Sequence, residues 1–202
     1  PMSASVTGSA PASASGIVDP SADNSYAIRY ASLYGYVEVV KVLLAWRRPS
    51  DGAIVDPTGN NHQAIRAASF YGHAEIVRLL LAWRRPSDVD KVGADTFVDP
   101  TADNNYAIRW ASCRGHVEVV RLLLAWRPAS FRGDYPSASF VDPTVDYNFA
   151  IRAASTHGHV EVVRALVELG ASVNQANVRA SLGGSGHWGS HIREGQGVRW
   201  LL

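Results

Sequence analysis

One cysteine, one methionine and two lysines are all that 202 residues hold of those types, and these shortages narrow the possibilities. With Cys113 alone there is no internal disulfide framework to staple loops together, and a lone thiol suits a reducing compartment. Long apolar runs are missing too. A stretch such as Val119–Trp126 is far shorter than a membrane span and carries Arg121. Pro1–Gly16 has neither the basic start nor the apolar core of a secretory signal. The expectation is an intracellular protein, cytoplasmic or otherwise, with no membrane partner. A bias of charge is absent as well: 19 basic residues face 18 acidic ones, for a net charge of +1. The two signs alternate along the chain, so no continuous basic stripe marks it for nucleic acid.

What the sequence does have is self-similarity. Four blocks open with Val18-Asp19-Pro20, Val55-Asp56-Pro57, Val98-Asp99-Pro100 and Val141-Asp142-Pro143. Each runs on into Ala-Ile-Arg, ending at Arg29, Arg66, Arg109 and Arg152, then into Ala-Ser, two variable residues and a glycine. These glycines are Gly35, Gly72, Gly115 and Gly158. An apolar run of the form Val117-Glu118-Val119-Val120-Arg121-Leu122-Leu123-Leu124 closes the block. Block starts lie 37, 43 and 43 residues apart, a period that points to a solenoid of stacked units.

Each block carries two helical patterns. In the first, Ile108 and Ala111 fall on one face, and Asn104 or Asn105 with Asp103 is the expected N-cap. The glycine suits a left-handed turn. In the second, Val119, Val120, Leu123 and Leu124 face inward while Glu118 and Arg121 face water and pair at i,i+3. Val-Asp-Pro reads as an extended step into a turn. Helices of about ten residues are marginal alone, so each block must cover its apolar side with the next. The fold class is therefore all-α, an α-solenoid of helix–turn–helix units joined by extended or hairpin loops.

The last block makes the pattern specific. Gly158-His159-Val160-Glu161-Val162-Val163-Arg164-Ala165-Leu166-Val167, followed by Leu169-Gly170-Ala171-Ser172-Val173-Asn174, closely resembles the second half of an ankyrin repeat. The resemblance covers roughly residues 18–176. It implies inner helices lining a groove, outer helices behind them and finger-like loops. On this reading residues 1–17 are a flexible leader. The repeats occupy 18–54, 55–97, 98–140 and 141–176, and 177–202 is an irregular Gly-rich tail or cap. The family's Thr-Pro-Leu-His tetrad is replaced by Tyr26-Ala27-Ile28-Arg29 and its counterparts. Arg29, Arg66, Arg109 and Arg152 are accordingly expected to pair with carboxylates, the Asp of a Val-Asp-Pro step being the nearest candidate. The insertions 47–54, 84–97 and 127–140 are expected on the surface.

The resemblance also implies a role: a module that holds another protein. Its recognition positions fall on Leu33 and Tyr34, Phe70 and Tyr71, Cys113 and Arg114, and Thr156 and His157, with Tyr30 and Trp110 beside them. Tyr, Trp and Arg are the residue types that dominate binding hot spots. Trp46, Trp83 and Trp126 end successive outer helices and are expected to pack there. His73, His116 and His159 match the family's Gly-His step and are expected to be structural hydrogen-bonding residues. No catalytic triad, paired carboxylates or phosphate loop is visible, so no catalytic residue, cofactor or small-molecule substrate is expected. His187 and His191 sit four apart in a Gly-rich stretch unsuited to helix, so no metal is expected either. Two other readings compete. One is a hydrolase whose site, built between the insertions, would bring together His157, Asp146 and a serine. The other is a structural fragment of a longer array.

Overall fold

The computed structural model describes residues 19–85, 97–127 and 141–170. The expected leader and tail lie outside these residues, as do parts of the second and third insertions. The described chain runs through α1 (Ala22–Tyr34), α2 (Val37–Ala45), α3 (Gly59–Tyr71), α4 (Ala74–Ala82), α5 (Ala102–Cys113), α6 (Val117–Ala125), α7 (Val145–Thr156) and α8 (160–170). Inner helices α1, α3, α5 and α7 pack side by side in chain order. Outer helices α2, α4 and α6 form a second layer, each against its own inner helix. The fold is thus an all-α repeat stack.

The outer helices form for the reason their pattern gives. In α4, Ile76, Val77, Leu80 and Leu81 are buried on one stripe while Glu75 and Arg78 remain exposed. The core is shared between layers: Ile28, Ile65 and Ile108 of the inner row and Val40, Leu80 and Leu123 of the outer row are all buried. Each outer helix stops at a tryptophan in extended conformation, Trp46, Trp83 or Trp126. The following arginine then folds back over the exposed carbonyls. Arg84 Nη1 donates to Leu81 O at 2.9 Å and to Trp83 O at 2.6 Å, and Arg47 and Arg127 do the same at their own helices. A guanidinium thereby satisfies the C-terminal acceptors that a glycine cap would otherwise meet. Trp83 and Trp126 are buried and Trp46 partly so; Phe97, from the second insertion, lies 5.7 Å from Trp126.

The Val-Asp-Pro step is a tight Asx turn. Asp56 Oδ1 accepts the Thr58 N–H at 2.9 Å and its hydroxyl at 2.7 Å, and Asp19, Asp99 and Asp142 do the same with Ser21, Thr101 and Thr144. In the first insertion, Arg47 and Ile54 bridge as a small hairpin.

The start of the inner helices departs from expectation. Asp103, Asn104 and Asn105 do not cap α5 from outside; they lie within it as one left-handed turn, with φ of 58°, 54° and 56°. Asn60-Asn61-His62 and Asp146-Tyr147-Asn148 repeat that turn, and Asp23 and Ser25 are left-handed in the first block. For L-residues this conformation costs roughly 1–2 kcal/mol each, least for Asn and Asp. Bonds to the neighbouring block offset the cost. In the first three turns the third residue accepts the backbone N–H of the next block's aspartate: Ser25 from Asp56 at 2.9 Å, His62 Nδ1 from Asp99 at 3.0 Å, Asn105 Oδ1 from Asp142 at 3.0 Å.

The Ala-Ile-Arg arginines bind these turns rather than the Val-Asp-Pro carboxylates. Arg66 pairs with Asp103, and Arg109 with Asp146 at 3.1 Å, each reaching the first left-handed residue of the next block. The second block has Asn60 in that place, so Arg29 donates to Gln63 Oε1 instead, at 2.7 Å. Arg29, Arg109 and Arg152 also donate to the carbonyl of their own turn's first residue. The Val-Asp-Pro carboxylates are already engaged: Asp19 with Arg48, and Asp56 with Arg85 at 2.6 Å. On the outer helices, Glu118 pairs with Arg78 of the preceding block rather than with Arg121, at 3.4 Å, whereas Glu161 and Arg164 pair at 3.8 Å.

Candidate functional site

The residues picked out in sequence as recognition positions fall on the inner helices and the turns that follow them. Tyr30, Leu33 and Tyr34 lie on α1, Phe70 and Tyr71 at the end of α3, Trp110 and Cys113 on α5 with Arg114 just after, and Thr156 and His157 at the end of α7. Tyr30, Tyr34, Tyr71, Arg114, Thr156 and His157 are exposed; Leu33, Phe70, Trp110 and Cys113 are half-buried. Spacing at i and i+4 on a helix puts side chains above one another. So Tyr26 stacks on Tyr30 with centroids 4.0 Å apart and Tyr30 lies 6.2 Å from Tyr34; across the Gly35 turn, Tyr36 stacks on Tyr34 at 5.9 Å.

The aromatic contacts continue across blocks. Phe70 is 5.7 Å from Trp110, and Trp110 is 5.9 Å from both Tyr106 and Phe149. The Arg114 guanidinium sits over the Phe70 ring at 4.2 Å, a cation–π contact. Arg66 and Arg109, while holding the next block's turn, also lie over that block's Tyr106 and Phe149 at 5.3 and 5.7 Å. Between α1, α3 and α5 this face dips into an open depression of about 290 Å³. Leu33, Gln63, Arg66, Ala67, Phe70, Tyr71 and Tyr106 line it. Tyr26, Tyr106 and Phe149 were not singled out in sequence, although their four-residue spacing to Tyr30, Trp110 and Ala153 was there to be read.

The three Gly-His histidines do a repeated job. His73 Nε2–H donates to Leu33 O, His116 to Phe70 O and His159 to Cys113 O, each at 3.1 Å. A carbonyl can only accept, so the neutral ring carries its proton on Nε2. Every ring also rests on the preceding block's glycine. A Cβ on Gly35, Gly72 or Gly115 would stand 2.7, 2.5 or 2.8 Å from it. Tyr36 occupies this place in the first block and is exposed.

Burial pushes the His116 pKa below the ordinary imidazole value. Its bond to the Phe70 carbonyl opposes the shift, while Arg114, His73 and His159 add to it. A basic group with a depressed folded pKa stabilises the fold above its unfolded value of about 6.5, and that contribution is lost as pH falls. The thermal midpoint is therefore expected to drop when pH is lowered from about 7.5 to about 5.5, and the drop to shrink in His116→Gln. A midpoint indifferent to pH across that range would contradict this assignment.

The residues named for a hydrolase site are engaged elsewhere. Asp146 is taken by Arg109, and His157 Nδ1 lies 2.8 Å from Ala153 O. Among the described residues no hydrogen bond links the two, and no group of His, Cys, Asp and Glu forms a metal site. No helix among the described residues is long and apolar enough to cross a membrane.

A family model described as ankyrin repeats (3 copies) matches residues 67–177. No curated protein and no solved structure matches the chain. Ankyrin repeats are generally protein–protein interaction modules and typically non-enzymatic. With more than half of the chain under that match, and with paired helices stacked block on block through Gly-His contacts, this chain belongs to the ankyrin repeat family.

Proposed function

We propose that this chain is a binding module that holds a partner protein along its inner-helix face and the turns beside it. One observation carries the reading: large aromatic rings remain open to water on a face whose backbone is fixed by block-to-block bonds. Tyr26, Tyr30, Tyr34 and Tyr71 are all exposed, and Phe70, Trp110 and Arg114 form a contiguous cluster beside them. Packing alone gives no reason to leave such rings uncovered. Because the rings stack on one another along rigid helices, little rotamer entropy remains to be lost on contact. The depression lined by Leu33, Phe70, Tyr71 and Tyr106 offers room for one apolar side chain of the partner, rimmed by Gln63 and Arg66.

Affinity capture with the wild type and with Tyr34→Ala, Tyr71→Ala and Trp110→Ala tests this. Each change is expected to weaken a captured partner by about tenfold or more, with the thermal midpoint little altered for the two exposed tyrosines. Partners held equally well by all three variants would show that the binding face lies elsewhere.

A further inference from the structure

The two ends of the described stack carry counterparts of the faces that meet at its internal junctions. Wherever blocks meet inside the molecule, a following-side face of one block covers a preceding-side face of the next. At the first and fourth blocks those same faces stay open among the described residues. Position by position, Leu124 of the third block is 1% exposed, but its counterpart Val167 in the fourth is 58% exposed. Val117 packs against the core, yet its counterpart Val160 is exposed. At the other end, Ile76 is 0% exposed and its first-block counterpart Val39 is 47% exposed, with exposed Val42 beside it.

The polar groups match in the same way. Arg152 corresponds to Arg66 and Arg109, which grip an aspartate of the next block; among the described residues Arg152 reaches the Asp146 carbonyl, at 3.5 Å. Asp23 occupies the register of Asp103 and Asp146, the carboxylates that those arginines grip. Asn148 stands where Asn105 accepts the Asp142 N–H. Gly158 keeps its left-handed turn with nothing within 4 Å of an added Cβ, where Gly72 and Gly115 seat a histidine ring; the first block presents Tyr36 in that histidine's register.

We infer that a second copy of this chain docks head to tail, its Asp23, Val39 and Val42 face meeting the Arg152, Val160 and Val167 face of the first. The occupant follows from complementarity of charge and shape: Asp23 stands in the register that Arg66 and Arg109 grip at two internal junctions, and Val39 and Val167 stand in registers that those junctions bury. Because the two faces differ, the contact is heterologous and leaves a free face at either end, so association is open-ended. Its head face takes in Tyr26 and Tyr34, which hold the registers of Tyr106 and Arg114 in contact with a preceding block, while Tyr71 and the depression beside it lie apart from it.

Sedimentation equilibrium on the full chain decides the matter. Wild type is expected to show an average mass that rises with concentration to at least twice the monomer. Val39→Asp and Val167→Asp each bury a charge against apolar surface, and alone each should weaken association by about tenfold or more. Mixed together, one intact face of each kind remains available, so the mixture should form a 1:1 dimer and go no further. A wild type that stays monomeric at millimolar concentration overturns the inference; so does a mixture that associates no better than its components. Capture of partners through Tyr71 should be the same in both aspartate variants, which separates this outcome from that of the binding reading.

Discussion

Gly72→Ala is expected to lower the stability of the stack by about 3 kcal/mol, well beyond what a glycine-to-alanine change costs at an open turn. Two effects add. Gly72 has φ +81°, a left-handed conformation that costs an L-side chain roughly 1–2 kcal/mol. The added methyl would also meet the His116 ring, with Nδ1 at 2.5 Å. That ring is not free to swing aside, because its Nε2 is tied to Phe70 O. Relief requires either breaking that bond or shifting α6 relative to α3, an overpacking cost of about 1–3 kcal/mol.

Gly158→Ala separates the two effects. Its φ is +71°, yet nothing lies within 4 Å of the added carbon. Only the backbone cost should remain there, about 1 kcal/mol. Urea denaturation of both variants against wild type measures the difference. Equal losses would mean that the histidine seat contributes nothing to joining the blocks.

That pair of glycines also shows where a linear reading succeeds and where it stops. The turn at Gly72 was legible because a glycine just past an apolar-periodic segment has few other roles. The outer helices were legible as well, since the spacing of Val119, Val120, Leu123 and Leu124 admits only one buried stripe. The glycine's second duty, as a seat for His116, was not, because its partner stands in the next block. The same gap explains the misread start of α5. Asp and Asn serve equally as N-caps and as left-handed residues. What selects the latter for Asp103-Asn104-Asn105 is bonding to Arg66 and to the Asp142 N–H, both far away in sequence.

The arginines followed similar logic. A carboxylate partner was a sound expectation, but Asp56 holds its own Thr58 hydroxyl and N–H and pairs with Arg85. Burial raises the Asp56 carboxyl pKa, and the bonds from Thr58 and Arg85 outweigh that and lower it. With that acceptor committed, Arg66 reaches forward to the turn of the next block. On the candidate face, positions such as Tyr34 and Tyr71 were found through their place in the repeat. Tyr106 and Phe149 open the tetrads whose arginines drew the attention in sequence, whereas here their rings carry Arg66 and Arg109.

The largest effect of a side-chain truncation is expected at Ile108. It is 0% exposed at the middle of the inner row, where α5 is covered by α3 on one side and α7 on the other. Ile108→Ala removes three carbons from a site whose walls belong to three blocks, so collapse around the void is restrained from several directions. The expected loss is about 2–5 kcal/mol. Ile151 is the comparison: it holds the same register on α7 but is only partly buried against the core. Ile151→Ala should therefore cost clearly less, on the order of 1–2 kcal/mol.

The two variants should also differ in how they come apart. In a stack held by nearest-neighbour contacts, a defect in the middle weakens two junctions, while a defect at the end weakens one. Hydrogen exchange on Ile108→Ala is expected to show α5 and α6 losing protection along with α7. In Ile151→Ala, protection should fall in α7 and leave α3 and α4 near wild type. If Ile151→Ala proves as costly as Ile108→Ala and loses protection throughout, the blocks are not joined pairwise. The stability attributed to lateral burial would then have to come from each block alone.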